Sequence, residues 1–133
     1  MWKLIKLKLL PDDRGLLTVC EYPRELPFAV KRVYCITKVP EGGCRGGHAH
    51  KNLRQLIYVL SGSLDILLSN GYNEEVLRLT PNGVAVEIMG CVWRELSNFT
   101  GDCVCIVLAS DVYDEHDYIR DFNSFEKFSK NRE

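Results

Sequence analysis

The chain has 133 residues and no apolar run long enough to cross a membrane, no C-x-x-C spacing, no repeat or low-complexity tract, and almost no net charge. Each absence removes a class of protein. Met1–Leu10 interleaves Lys3, Lys6 and Lys8 with apolar residues, which excludes an export signal or a membrane span and predicts an opening strand. Seventeen Lys and Arg against 18 Asp and Glu give a formal charge of -1. No global field therefore draws the protein to nucleic acid or to an anionic membrane, and an anionic ligand must be met by local arginines. The six cysteines (Cys20, Cys35, Cys44, Cys91, Cys103, Cys105) lack metal-site or redox spacing. Without an export signal they are expected to be reduced and mostly buried, in a cytoplasmic protein.

Short β-rich runs recur between turn signals: Leu16–Cys20, Val30–Val39, Gln55–Leu60, Ser63–Leu68, Val76–Leu79, Gly83–Ile88, Val92–Leu96 and Cys103–Ala109. Many short strands with no long helical pattern between them predict an all-β sandwich or barrel. Ser61-Gly62 and Asn70-Gly71 predict tight turns, the second a type I′ hairpin, and together they suggest a meander through the middle of the chain. After Ser110, Phe122, Phe125 and Phe128 recur every third residue with charges between, which predicts a short amphipathic C-terminal helix or two turns. The length suits one domain, residues 1–133, able to bury about two thirds of its unfolded surface.

His48-Ala49-His50 is the richest feature. Residues two apart on a strand face the same way, so both imidazoles would enter one cavity. The order Gly42, five residues, His48-Ala49-His50, four residues, Gln55, six residues, Gly62 is similar to the first motif of the cupin superfamily. The run Gly83, Met89, Cys91, Arg94, Asn98 resembles the second. Metal-binding cupins carry glutamate and histidine where this chain has Gln55 and Arg94. A guanidinium cannot ligate a cation and its charge opposes one nearby. His116 comes too late in the chain to be the second-motif ligand. No metal and no other cofactor is expected. The plain alternative for H-x-H, two neutral histidines satisfied inside a barrel, is outweighed by Arg45-Gly46-Gly47. Glycines permit close backbone approach to a ligand, and an arginine suits an anionic one.

Longer blocks are more specific. Lys31-Arg32-Val33-Tyr34, Arg45 through Lys51, Leu60-Ser61-Gly62-Ser63, Val92-Trp93 and the run from Val107 to Arg120, with its A-S-D-x-Y-D-E-x-D-Y-I-R pattern, resemble the dTDP-4-dehydro-6-deoxy-D-glucose 3,4-ketoisomerases. The resemblance spans nearly the whole chain. It implies a cupin-type jelly roll, or double-stranded β-helix, with a short C-terminal helical segment, assembled as a homodimer. It also implies a shift of the keto group of a dTDP-linked 4-keto-6-deoxyhexose from carbon 4 to carbon 3, on the way to dTDP-amino sugars.

That shift needs proton removal beside a carbonyl, an enediol, and reprotonation next door. Histidine can accept and return a proton near neutrality. The resemblance places His48 and His50 at the catalytic positions, with His48 expected as the base at carbon 3 and His50 as a proton relay. Tyr34 and Arg94 are expected to stabilise the enediolate oxygens, and Tyr34 shares strand parity with Arg32. Arg32 and Arg45, with Lys51, are expected at the diphosphate. Gln55 is expected at the substrate, and the thymine slot is left open among Tyr58, Tyr113 and Trp93. Arg14 is a further substrate-binding candidate. Galacto-forming relatives carry Arg and His at the places of Arg14 and Arg94, gluco-forming ones Tyr and Arg, and this chain mixes the two. The competing readings are a dTDP-sugar 3,5-epimerase, a non-catalytic sugar-nucleotide-binding cupin, and a metal-dependent cupin enzyme.

Overall fold

The computed structural model describes residues 1–131. In chain order the strands are β1 (Trp2–Lys6), β2 (Lys8–Asp12), β3 (Gly15–Val19), β4 (Arg32–Thr37), β5 (Arg45–His50), β6 (Gln55–Ser61), β7 (Leu64–Ser69), β8 (Glu74–Leu79), β9 (Val84–Ile88), β10 (Trp93–Ser97), β11 (Val104–Ala109) and β12 (Tyr118–Ile119), followed by helix α1 (Phe122–Asn131). One five-stranded sheet has the order β1-β9-β6-β11-β4 and the other β12-β5-β10-β7-β8, while β2 and β3 form a separate hairpin. The two larger sheets make the expected all-β jelly roll.

The expected meander is not there. From β5 to β11 successive strands alternate between the two sheets, and only β7 and β8 are sequential partners. Most of these strands have an apolar face, and alternation lets those faces meet in one core. Ile57, Val59, Leu64, Ile66, Leu68, Val86, Ile88 and Val107 form it. Gly62 marks the crossing from β6 to β7: its φ is +66°, and a Cβ there would lie 2.7 Å from the Cys103 Cα, so only glycine fits. Asn70-Gly71 does join a hairpin, but through a four-residue loop. Asn70 Oδ1 accepts from the backbone N–H of Tyr72 and Asn73, and Gly71 alone of the pair has positive φ. The asparagine side chain supplies the turn that a type I′ backbone was expected to make.

The N-terminal strand is also divided. β1 pairs antiparallel with β9 of its own chain, from Trp2 opposite Ile88 to Lys6 opposite Val84. The run stops at Leu7, which turns inward and donates its N–H to Gly83 O at 2.7 Å. β2 then leaves the sheet, and Leu9, Leu10, Leu16 and Leu17 are exposed on the hairpin. The cysteines depart from expectation too. Cys103 and Cys105 are buried, Cys20 and Cys91 half-buried, Cys35 and Cys44 exposed, and none forms a disulfide among the described residues. No helix among those residues is long and apolar enough to cross a membrane.

Each sheet is covered on its outer face as well. Leu26 and Phe28 from the loop before β4 pack on Leu56, Ala85 and Leu108. Helix α1 lays Phe125 on Ala49, Trp93 and Ile119, with Phe122 and Phe128 beside it. The phenylalanine triplet is therefore the inward stripe of a helix, fully buried at Phe125 and half-buried at Phe122 and Phe128, that clamps β12 and β5 from behind. Phe125→Ala is expected to lower the unfolding free energy by about 3–5 kcal/mol in chemical denaturation. A loss under about 1 kcal/mol would mean that the helix does not seal this face.

Candidate active site

The side chains that point between the sheets change character at one end of the sandwich. Arg32, Tyr34 and Ile36 alternate inward along β4, His48 projects from β5, Gln55 and Ile57 from β6, Arg94 and Leu96 from β10. They line an open cavity of about 560 Å3, whose rim includes Arg45, Tyr118 and Arg120. This volume lies in the range of small-molecule sites. His48 is opposite Arg94 in the β5–β10 pairing, and the register slips between Arg94 and Glu95. Gly46 and Gly47, with φ of +85° and +68°, take up that slip. A Cβ on Gly46 would press to 3.1 Å from Arg94 O. The glycines before the histidines therefore build a bulge that aims His48 into the cavity, as bulges beside sites commonly do.

Arg94 is 1% exposed, yet it forms no salt bridge within 4 Å among the described residues. Its Nε and Nη2 donate to Val92 O at 3.3 and 3.1 Å, and its Nη1 donates to Gln55 Oε1. Burial pushes its pKa down to about 10, so it stays charged at neutral pH. Gln55 passes the polarity on: its Nε2 donates to Tyr34 Oη at 3.2 Å. That fixes the amide orientation and leaves the phenolic O–H free to donate into the cavity. Burial raises the Tyr34 pKa and keeps the phenol protonated. Arg32 stands over the Tyr34 ring at 5.3 Å, with Nε and Nη2 buried and without hydrogen-bond partners among the described residues.

The two imidazoles lie close, with ring centroids 4.9 Å apart, and Tyr118 packs on both, at 5.0 Å from His48 and 4.3 Å from His50. Burial, reinforced by Arg94, lowers the His48 pKa to about 4, although a hydrogen bond with the Gly46 backbone opposes the shift. The same two causes lower that of His50. Both rings are neutral bases at pH 7. They are not equivalent: His48 lines the main cavity, whereas fully buried His50 lines an adjoining chamber of about 160 Å3 shared with Arg32, Asp117 and Tyr118. His50 Nδ1 is 3.0 Å from Asp117 Oδ2.

Three of the expected substrate residues lie elsewhere in this chain. Arg14 sits at the tip of the β2–β3 hairpin with an 86% exposed side chain bonded to Asp12. Lys51 lies outside the cavity, in a shallow pocket between Arg120 and α1, its Nζ 5.9 Å from the Phe128 ring. Trp93 packs under α1 against Phe122 and Phe125 and donates to Glu95. Of the thymine candidates, Tyr113 approaches Arg32 at 5.7 Å and Tyr118 at 5.5 Å. Asp117, Tyr118 and Arg120 were not singled out from the sequence, although the D-Y-I-R run holds all three. β12 brings them in by pairing Tyr118 with His50 and Ile119 with Ala49. No group of three or more His, Cys, Asp and Glu side chains that could hold a metal ion occurs among the described residues.

The depressed imidazoles have a consequence for stability. Their ordinary pKa of 6.5 returns on unfolding, so below pH 6.5 the unfolded chain binds more protons. The unfolding free energy is expected to fall as pH drops from 6.5 toward about 4, measured by denaturant titration. His48→Asn should flatten part of that slope, and an unchanged slope would contradict the burial of a neutral His48.

Comparison with known proteins agrees with this geometry. The family described as FdtA: WxcM-like, C-terminal matches residues 1–130. A TDP-4-oxo-6-deoxy-alpha-D-glucose-3,4-oxoisomerase of Aneurinibacillus thermoaerophilus is 40% identical over 126 residues, 95% of this chain and 91% of that protein. A mutant of the 3,4-ketoisomerase QdtA from Thermoanaerobacterium thermosaccharolyticum, crystallised with TDP-4-keto-6-deoxyglucose, is 42% identical and superposes with a TM-score of 0.95 over 98% of this chain and 95% of that one. The TDP-quinovose 3,4-ketoisomerase WlaRB of Campylobacter jejuni is 40% identical, with a TM-score of 0.90 over 95% and 97% of the two chains. With the jelly roll, the paired histidines and matches of this extent, the chain belongs to the sugar 3,4-ketoisomerase family, FdtA type.

Proposed function

We propose that this chain is a dTDP-sugar 3,4-ketoisomerase that moves the keto group of dTDP-4-dehydro-6-deoxy-D-glucose from carbon 4 to carbon 3. One observation carries the reading beyond family membership. A neutral imidazole, His48, faces a cavity in which the buried Arg94 guanidinium has no carboxylate beside it. That pairing suits a reaction that withdraws a proton and creates negative charge on oxygen.

In the proposed cycle His48 takes the proton from carbon 3, next to the carbon 4 carbonyl. The electrons left behind shift toward the carbonyl oxygen, and the Arg94 charge and the Tyr34 O–H stabilise the resulting enediolate. A proton returned to carbon 4, with loss of the carbon 3 hydroxyl proton, completes the keto group at carbon 3. His50, behind His48, relays protons between the oxygens and the second carbon. A pKa near 4 makes His48 by itself a weak base. The substrate's diphosphate and the forming enediolate bring negative charge that raises it toward the working range. Arg32, whose Nε and Nη2 lack partners, and Arg45 at the rim supply donors for the diphosphate.

The product, a dTDP-3-dehydro-6-deoxyhexose, suits an aminotransferase that consumes 3-keto sugars on the way to dTDP-amino sugars. The reading includes one catalytic domain spanning the chain, action in the cytoplasm and no metal requirement. It also includes a homodimer in which the leucines of the β2–β3 hairpin are covered by a second copy. This accounts for a hairpin that buries almost nothing on its own chain.

Incubation with dTDP-4-keto-6-deoxyglucose in heavy water, followed by NMR, is expected to yield a 3-keto sugar with deuterium at the reacting carbon. Exchange at carbon 5 instead would indicate an epimerase, and no exchange a binding module. His48→Asn is expected to cut turnover by about 100-fold or more while dTDP still binds. Wild-type turnover in that variant would remove His48 as the base. Treatment with a chelator should leave turnover unchanged, and recovery of a lost activity on adding metal would overturn the metal-free reading.

A further inference from the structure

The proposed cycle asks one nitrogen of His50 to exchange protons and leaves open what decides which nitrogen that is. Asp117 answers it. Its Oδ1 accepts the backbone N–H of Asn52 at 2.8 Å, and its Oδ2 accepts that of Leu53 at 3.3 Å. The same Oδ2 faces His50 Nδ1 at 3.0 Å. A carboxylate only accepts, so the proton on a neutral His50 must sit on Nδ1. The other nitrogen, Nε2, is buried with no hydrogen-bond partner among the described residues. Tyr118, next along the chain, packs against the ring at 4.3 Å. The pairing of Tyr118 with His50 and the bond from Lys51 N to Asp117 O at 2.9 Å lock the two segments together.

We infer that Asp117 is a positioning residue that holds His50 as the Nδ1–H tautomer and leaves Nε2 as the nitrogen available for proton transfer. The inference deepens the proposed ketoisomerase reading and rests on it only for the consequence to catalysis. The tautomer itself follows from a carboxylate oxygen facing His50 Nδ1 while two backbone N–H groups hold that carboxylate in place. The orientation of a general base by a buried carboxylate is a recurring solution in enzymes, since the wrong tautomer presents a proton where a lone pair is needed.

Asparagine at position 117 makes the inference testable, because it is nearly the same size but has one acceptor oxygen and one donor nitrogen. The backbone N–H of Asn52 cannot change its role, so the amide oxygen is expected to stay with it. The amide NH2 then faces His50 Nδ1, and the imidazole can answer by moving its proton to Nε2.

The test is 15N NMR of histidine-labelled protein near neutral pH, without substrate, alongside steady-state kinetics of wild type and Asp117→Asn. In the wild type the His50 Nδ1 resonance, assigned by its absence in His50→Asn, is expected to be pyrrole-like and the Nε2 resonance pyridine-like. In Asp117→Asn the two should exchange character, with kcat falling by about 100-fold or more and KM changing only a few-fold. A pyridine-like Nδ1 in the wild type overturns the inference, and that spectrum requires no variant to fold. So does an Asp117→Asn protein with wild-type kcat. A merely structural role would lower the thermal midpoint without exchanging the resonances. If the wild-type protein did not turn over the sugar nucleotide at all, the ketoisomerase reading would fail while the tautomer measurement stood.

Discussion

A guanidinium withdrawn from water, with no carboxylate within 4 Å among the described residues, dominates the electrostatics of the cavity. Burial of an unpaired ion costs several kcal/mol even after the surroundings relax. Arg94 offsets that with neutral dipoles only, the Val92 carbonyl and the Gln55 amide. Its field therefore reaches the groups around it: it adds to burial in lowering both imidazoles, and it opposes burial in raising the Tyr34 phenol. A neutral sugar ring does little to relieve such a charge, whereas an enediolate answers it directly. In the proposed reaction, the feature that weakens the folded state would favour the one point at which the substrate's own oxygens are anionic, which is how differential stabilisation speeds a step.

The rest of the fold carries that cost. Apolar contact is laid down in three layers, between the sheets, under the loop before β4 and under α1, and the second and third back the strands that hold the site. Ala49 shows the economy of the arrangement. It lies between His48 and His50 on the opposite face of β5, fully buried with Trp93, Ile119 and Phe125. Alternation along one strand turns two imidazoles inward, one to the cavity and one to the adjoining chamber, and a methyl group to the helix. The bulge at Gly46-Gly47 then sets the angle at which the strand enters the site. A helix with no residue in the cavity is in this way coupled to the orientation of both bases.

Parity made part of the site legible in advance. The H-x-H spacing and the two-residue step from Arg32 to Tyr34 need only a strand, and both pairs do share inward faces. The aromatic triplet likewise revealed a helix, because a period near three or four has few other uses. What stayed hidden depended on which strands become neighbours. Alternation between the sheets replaced the meander because the partners of β5 and β6 are chosen by packing across the core, which no local run encodes. Asp117 and Tyr118 were missed as site residues for the same cause: they reach His50 through a two-residue strand more than sixty residues downstream. Gly46 and Gly47 were visible, but their role as a bulge becomes clear only once Arg94 is known to lie opposite. Lys51, next to His50 in sequence, ends on the far side of Tyr118 and Arg120, since a position one step along a strand faces the other way.

The two histidines, alike in the sequence, are made different by what anchors them. His48 is tied to a backbone carbonyl at the bulge and stands on the wall of the large cavity. His50 is tied to a carboxylate and is sealed behind it, in contact with the smaller polar chamber. The Gly46 backbone favours a protonated His48, but burial and the Arg94 charge outweigh it and keep that ring neutral. The carboxylate anchor sets which nitrogen of His50 carries the proton, while burial and Arg94 oppose positive charge at both rings. Two residues of one type on one strand thus acquire unequal surroundings, one from the bulge beside it and the other from a segment more than sixty residues away.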